Sequence, residues 1–137
     1  MKKNILVVDD SALMRMVMCD ILKADDRFHV EDKAKHGKEA LELLSQKKYD
    51  AVVLDVNMPV MGGLELLKEL QTRKIPARVM MASTDTREGA KVTLDALELG
   101  AIDFVHKPGN IKNCRTEEFQ ENFLTTLDAV ASSKEPV

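Results

Sequence analysis

ILVVDDSALMR, residues 5–15, opens with an apolar run, stops at two adjacent carboxylates and continues into a helical pattern. An apolar run without polar alternation is typical of a strand that is covered on both faces. The pattern returns in AVVLD, residues 51–55, which also ends in a carboxylate. We therefore expect buried parallel strands that carry acidic side chains at their carboxyl ends.

Strand-like and helix-like segments alternate along the chain. The pattern predicts strands at residues 5–9, 28–32, 51–55, 77–83 and 102–108, each followed by a helix. Such alternation with short connections is typical of an α/β protein with a parallel sheet and helices on both faces. Five strands with right-handed crossovers favour the flavodoxin-like, doubly wound (βα)5 fold with strand order 2-1-3-4-5.

Size and composition suit one globular domain. The chain has 137 residues, of which 45% are hydrophobic and 31% charged, and its formal net charge is -3. An acidic chain with scattered basic residues argues against a nucleic-acid partner, and no apolar run is long enough to suggest a membrane span. We expect a cytoplasmic domain over residues 1–130, with residues 131–137 as the start of a linker or a terminal tail.

Polar residues gather at the predicted strand ends. Asp9 and Asp10 end the first strand, and Asp55 ends the third. Ser83 ends the fourth strand, and Lys107 lies at the end of the fifth. In open parallel sheets, ligands bind beyond the carboxyl ends of the strands, where the strand order reverses. These five side chains are therefore expected at one site.

Each of these residues also has an ordinary structural explanation. Asp10 or Ser11 could cap the first helix, and Asp55 could form a turn. Lys107 could be a surface lysine whose stem packs along apolar groups. Ser83 alone carries almost no signal. Each explanation is plausible alone, but it is much less probable that all of the strand-end residues have such ordinary roles at once. The combined pattern therefore favours a functional site.

The chemistry of this set points to phosphoryl transfer. Three carboxylates at one place need compensating charge, and an all-oxygen site suits Mg²⁺. The Lys107 ammonium and the Ser83 hydroxyl could hold the oxygens of a phosphoryl group while the Asp55 carboxylate attacks phosphorus. We therefore expect Asp55 to be the phosphoacceptor.

Four segments, VVDDS, LDVNMPVMGG, MAST and DFVHKP, resemble the receiver domain of two-component response regulators. The resemblance runs from residue 5 to about residue 130. It implies an aspartyl-phosphate at Asp55 and a sensor histidine kinase as phosphodonor. It also implies that Mg²⁺ is bound by Asp10, Asp55 and the backbone carbonyl of Asn57, with Asp9 acting mainly through water.

The same resemblance implies roles for four further positions. Ser83 and Phe104 would be the switch pair, with the hydroxyl moving toward the phosphoryl group as the ring turns inward. Asn57 and Asp85 would tune the lifetime of the phosphoryl group. The Lys107–Pro108 peptide bond would be cis, as is usual in the family.

One position departs from the family pattern. The loop after the phosphoacceptor commonly reads M-P-x-M-D-G, whereas this chain has MPVMGG with Gly62. An acidic or amide side chain of the family loop is therefore lost, which bears on the rigidity of the loop and leaves the chemistry unchanged.

Two longer segments, DDSALMR and VTLDALELGAIDFVHKPG, resemble the N-terminal regulatory domain of chemotaxis protein-glutamate methylesterases. That resemblance implies a methylesterase output domain, which is absent from this sequence because it has no G-x-S-x-G elbow. The implied output surface is the fourth helix, fifth strand and fifth helix, roughly residues 87–127. A stand-alone chemotaxis receiver that acts on a partner protein is the alternative.

Two other protein classes fit less well. Phosphatases of the haloacid dehalogenase type also use an aspartate nucleophile and Mg²⁺, but they require D-x-D, and Asp55 is followed by Val56 and Asn57. A flavin carrier of this fold would need a Ser/Thr/Gly-rich phosphate loop after the first strand. The sequence has the carboxylates of DDSALMR there instead.

Overall fold

The computed structural model describes residues 2–84 and 87–134, with the backbone alone for residues 84 and 87–90. Five strands are β1 Lys3–Val8, β2 Phe28–Ala34, β3 Ala51–Asp55, β4 Val79–Thr84 and β5 Asp103–Lys107. The helices are α1 Ala12–Lys23, α2 Gly37–Gln46, α3 Gly63–Thr72, α4 Arg87–Glu98, α5 Ile111–Cys114 and α6 Glu117–Ala131.

All neighbouring strands pair in parallel, and the sheet has the order β2-β1-β3-β4-β5. This confirms the predicted doubly wound α/β fold. The short helix α5 was not predicted. It occupies one turn after β5 and is capped by Asn110, whose side chain accepts a hydrogen bond from the backbone N–H of Asn113.

The core has two layers because successive strand residues point to opposite faces of the sheet. Ile5, Val7 and Met80 pack with α1, α5 and α6 on one face. Leu6 and Met81 pack with α2, α3 and α4 on the other face. Burial on both faces explains why the strands read as unbroken apolar runs.

Local signals define several helix ends. Ser11 caps α1 by accepting a hydrogen bond from the backbone N–H of Met14, and Thr116 caps α6 in the same way with Phe119. Gly100 follows α4 with φ +108°, a conformation that glycine adopts without steric cost. Within the described ranges, no helix combines the length and apolar character needed to cross a membrane.

Candidate functional site

The strand order places the acidic strand ends side by side. β1 and β3 are neighbours in the sheet, so Asp9, just after β1, lies beside Asp55 at the end of β3. Lys107 ends β5, two strands away from β3, and its backbone is in register with Thr84 of β4. The long lysine side chain therefore has to cross the end of β4 to reach the carboxylates.

The Lys107 ammonium bridges the two buried carboxylates. Its Nζ donates to Oδ2 of Asp9 at 3.0 Å and to Oδ1 of Asp55 at 2.9 Å. Lys107 is 6% exposed, Asp9 is 1% exposed and Asp55 is 8% exposed. Because a buried charge needs a partner, this triad is a strongly coupled electrostatic unit.

The pKa of Asp55 is raised, chiefly because its carboxylate is buried, in a triad where two carboxylates share one ammonium. The net effect raises that pKa from 3.8 to about 6: burial is the largest cause, Lys107 and the N–H of Val56 lower the pKa, and the negative charge of Asp9 raises it. Burial also works against the Lys107 ammonium, yet Asp55 and Asp9 hold the pKa of this lysine above its ordinary value. The site therefore favours additional positive charge.

Asp9 is fixed by neighbours on three sides. Its Oδ1 accepts a hydrogen bond from the backbone N–H of Ser11 at 2.9 Å, and its Oδ2 is held by Lys107. The guanidinium of Arg15 donates to the backbone carbonyl of Asp9 at 2.6 Å. Arg15 was not predicted as part of the site, although its position one turn into α1, close after Asp9 and Asp10, was an available signal.

Asp10 differs from Asp9 because it is exposed. Among the residues that the structure describes, its carboxylate receives no hydrogen bond, which leaves it free to bind a ligand. Asp9, Asp10 and Asp55 each offer a carboxylate oxygen, and these oxygens lie within 4.8 Å of one another. Such a hard, all-oxygen cluster beside a buried site is the donor set that Mg²⁺ prefers.

The loop after Asp55 is packed closely against the strand. Gly63, the first residue of α3, donates its N–H to the carbonyl of Val56 at 2.9 Å. A Cβ at Gly63 would lie 2.4 Å from the backbone oxygen of Asp55, so only glycine fits there. Gly62, the departure noted in the sequence, is the N-cap of α3 and provides no side-chain cap. Asn57 is exposed in this loop.

The predicted switch residues lie on β4 and β5, the two strands that follow β3 in the order of the sheet. Ser83 is 1% exposed, and its Oγ is 2.9 Å from Oγ1 of Thr93 on α4. Phe104 is half-buried, and its ring makes an edge contact with the ring of His106 at a centroid distance of 5.1 Å. The sequence did not reveal the contact with Thr93, because it depends on how α4 packs on the sheet.

Two further predictions concerned Asp85 and the Lys107–Pro108 peptide bond. Asp85 lies outside the described residues, so its predicted position stays a prediction. The Lys107–Pro108 bond is trans, since none of the described peptide bonds is cis, and the expected cis bond was therefore wrong. The trans form is the one that X–Pro bonds favour, by about 0.5–1 kcal/mol.

Comparison with known proteins gives a consistent result. Residues 5–117 match the response regulator receiver domain family. A protein-glutamate methylesterase/protein-glutamine glutaminase of Methanococcus maripaludis is 38% identical over 133 residues, which are 97% of this chain and 36% of that protein. The chain spans about a third of the length of the curated relatives it matches.

Solved structures agree with this match. The response regulator domain of Thermotoga maritima CheB superposes with a TM-score of 0.84 at 35% identity, covering 98% of this chain and 99% of that one. A chain of the CheX-CheY-BeF3-Mg+2 complex from Borrelia burgdorferi gives a TM-score of 0.78 at 28% identity, covering 96% of this chain and 90% of that one. The sequence and the fold therefore indicate the same class of domain.

Proposed function

The chain belongs to the response regulator receiver domain family, the phosphorylation-regulated module of two-component signalling, and on that basis we propose that it accepts a phosphoryl group on Asp55. The proposed donor is the phosphohistidine of a sensor histidine kinase. The observation that carries this proposal is the Lys107 ammonium held between the buried carboxylates of Asp9 and Asp55.

The two oxygens of the Asp55 carboxylate have different surroundings. The hydrogen bonds that described residues donate to it, from the Val56 N–H at 2.8 Å and from Lys107 at 2.9 Å, both end on Oδ1. We therefore assign Oδ2 as the nucleophile. As the new O–P bond to Oδ2 forms, the P–N bond of phosphohistidine breaks and the leaving imidazole takes a proton from solvent.

The lysine has a second role in this scheme. Its ammonium is already within hydrogen-bond distance of Asp55, so it can donate to a phosphoryl oxygen at that carboxylate after a small movement. A phosphoryl group adds about 1.5 to 2 negative charges. Lys107 would thus exchange a carboxylate partner for a phosphoryl partner without leaving the site.

The acidic cluster fits a magnesium ion. Asp10, Asp55 and the backbone carbonyl of Asn57 would hold it, with Asp9 acting through water. When bound, the ion would neutralise part of the charge on the transferring phosphoryl group. The geometry supports this assignment, because the three carboxylates lie close together and the Lys107 ammonium contacts only Asp9 and Asp55 among them.

The signal is proposed to leave through Ser83 and Phe104. The hydroxyl would bond the phosphoryl group and the ring would turn inward, altering the surface formed by α4, β5 and α6. Asn57 and Asp85 would tune the lifetime of the phosphoryl group. By analogy with the matched methylesterases, this surface would cover an attached methylesterase domain. In a free-standing regulator it would bind a partner protein.

The test is phosphorylation of the purified chain with acetyl phosphate, with and without Mg²⁺. Asp55→Asn is compared with Asp26→Asn, which makes the same chemical change at an exposed position remote from the site. We expect Mg²⁺-dependent labelling of the wild type and of Asp26→Asn, and none of Asp55→Asn. Equal labelling of Asp55→Asn, or no labelling of the wild type with Mg²⁺ present, would refute the proposal.

A further inference from the structure

The hydroxyl of Ser83 already has a partner on α4. Its Oγ lies 2.9 Å from Oγ1 of Thr93, and both residues are buried, at 1% and 2% exposed. We propose that Thr93 is a positioning residue that holds the Ser83 hydroxyl until a phosphoryl group on Asp55 competes for it. This inference rests on the proposed function, because it needs Asp55 to be the phosphoacceptor.

The register of the strands explains why these two hydroxyls meet. Ser83 of β4 pairs with His106 of β5, and Met81 pairs with Phe104. Residues two apart on a strand point to the same face, and Met81 packs in the core layer that α4 covers. Ser83 therefore faces α4, where Thr93 meets it from the helix.

Ser83 thus links three parts of the site. It lies on β4, the strand next to β3, whose last residue is Asp55. It shares one face of the sheet with the half-buried ring of Phe104. Through Thr93 it is tied to α4. Movement of the Ser83 hydroxyl would therefore change a contact of α4, which is part of the proposed output surface.

The competition between the two partners has a defined direction. The bond between Ser83 and Thr93 joins two neutral hydroxyls, whereas a bond to a phosphoryl oxygen is charge-assisted and roughly twice as strong. Without a phosphoryl group on Asp55, the Ser83 hydroxyl stays hydrogen-bonded to Thr93. With the phosphoryl group present, it bonds to a phosphoryl oxygen instead. The bond to Thr93 therefore shifts the equilibrium away from the activated state, by roughly 2- to 12-fold for a neutral hydrogen bond of this kind.

The experiment is a beryllofluoride titration at saturating Mg²⁺, followed through the backbone amide resonances around Asp55. Thr93→Val replaces the hydroxyl with a methyl group of similar size, and Thr93→Ser keeps the hydroxyl as the matched control. We expect Thr93→Val to reach half-saturation at a roughly 2- to 12-fold lower beryllofluoride concentration than the wild type. Thr93→Ser should behave like the wild type.

A second comparison separates positioning from general packing. In a Ser83→Ala background, Thr93→Val should cause no further shift, because the hydroxyl that Thr93 holds is gone. A shift of the same size in that background would overturn the inference, as would an unchanged or higher half-saturation concentration for Thr93→Val alone. Should Thr93→Val fail to fold, Thr93→Ala carries the same expectations.

The same titration distinguishes a failure of the proposed function from a failure of the role inferred for Thr93. If the wild type shows no Mg²⁺-dependent response to beryllofluoride, the proposed function fails and the inference fails with it. If the wild type responds and Thr93→Val follows the same curve, the role of Thr93 is refuted while the proposed function stands.

Discussion

Lys107 Nζ lies 2.9 Å from Oδ1 of Asp55, although the strands that carry these residues are separated by β4. This contact pins the end of β5 to the end of β3. The side chains of both residues are at least nine-tenths buried, so their interaction is little screened by solvent. The ion pair therefore serves both the fold and the proposed chemistry.

The first prediction concerns the loss of this cation. Lys107→Met should lower the free energy of unfolding at pH 7 by about 3–5 kcal/mol, because it leaves two buried carboxylates without their partner. The loss should be smaller at pH 5, where Asp55 can take up a proton. Urea unfolding at both pH values measures this. Lys48→Met, at an exposed position, is the control and should stay within about 0.5 kcal/mol of the wild type.

The second prediction is a pH dependence that originates from Asp55. Its pKa is about 6 in the folded protein against an ordinary 3.8, so the folded state holds this proton more tightly than the unfolded state. The contribution of Asp55 to the free energy of unfolding is therefore fully present below about pH 4, and it is lost as the pH rises through about 6. The total loss is at most about 3 kcal/mol.

Asp55→Asn removes this dependence, because an amide does not titrate. In EDTA the variant should therefore be more stable than the wild type at pH 7 and should approach it at pH 4. Urea unfolding between pH 4 and pH 8 gives the comparison. A wild-type advantage at pH 7 would contradict the raised pKa of Asp55.

Much of this site was predictable because it depends on topology. A parallel sheet brings the ends of its strands to one edge, so Asp9, Asp10, Asp55 and Lys107 could be grouped from strand order alone. The bond between Ser83 and Thr93 could not, because it depends on how α4 packs on the sheet. Helix α5 was missed because four residues are too few to show a helical period.

The third prediction concerns the close packing at the start of α3. Gly63→Ala would place a methyl group 2.4 Å from the backbone oxygen of Asp55 and 3.2 Å from Cα of Val56. Backbone has to shift in response, so we expect a loss of about 1–3 kcal/mol in stability and slower phosphorylation by acetyl phosphate. Gly109→Ala is the matched control, since its Cβ meets nothing within 4 Å. Equal behaviour of the two variants would show that α3 tolerates the displacement.

The last prediction separates the two adjacent aspartates. Asp9 is 1% exposed and accepts hydrogen bonds from Ser11 and Lys107, whereas Asp10 is exposed and receives none from the described residues. Asp10→Asn should therefore change stability by less than about 0.5 kcal/mol and weaken Mg²⁺ binding. Asp9→Asn should lower stability by about 1–3 kcal/mol, because an amide cannot accept from both donors as strongly as a carboxylate.

Calorimetric Mg²⁺ titration and urea unfolding in EDTA, on both variants, give the two readouts. If Asp10→Asn binds Mg²⁺ as tightly as the wild type, the metal is held without that carboxylate. If Asp9→Asn keeps wild-type stability, the bridge from Lys107 to Asp9 contributes nothing net, and the pairing of Lys107 with Asp55 alone holds the ends of the strands together. If both variants behave as expected, Asp10 is assigned to direct metal binding and Asp9 chiefly to the stability of the fold.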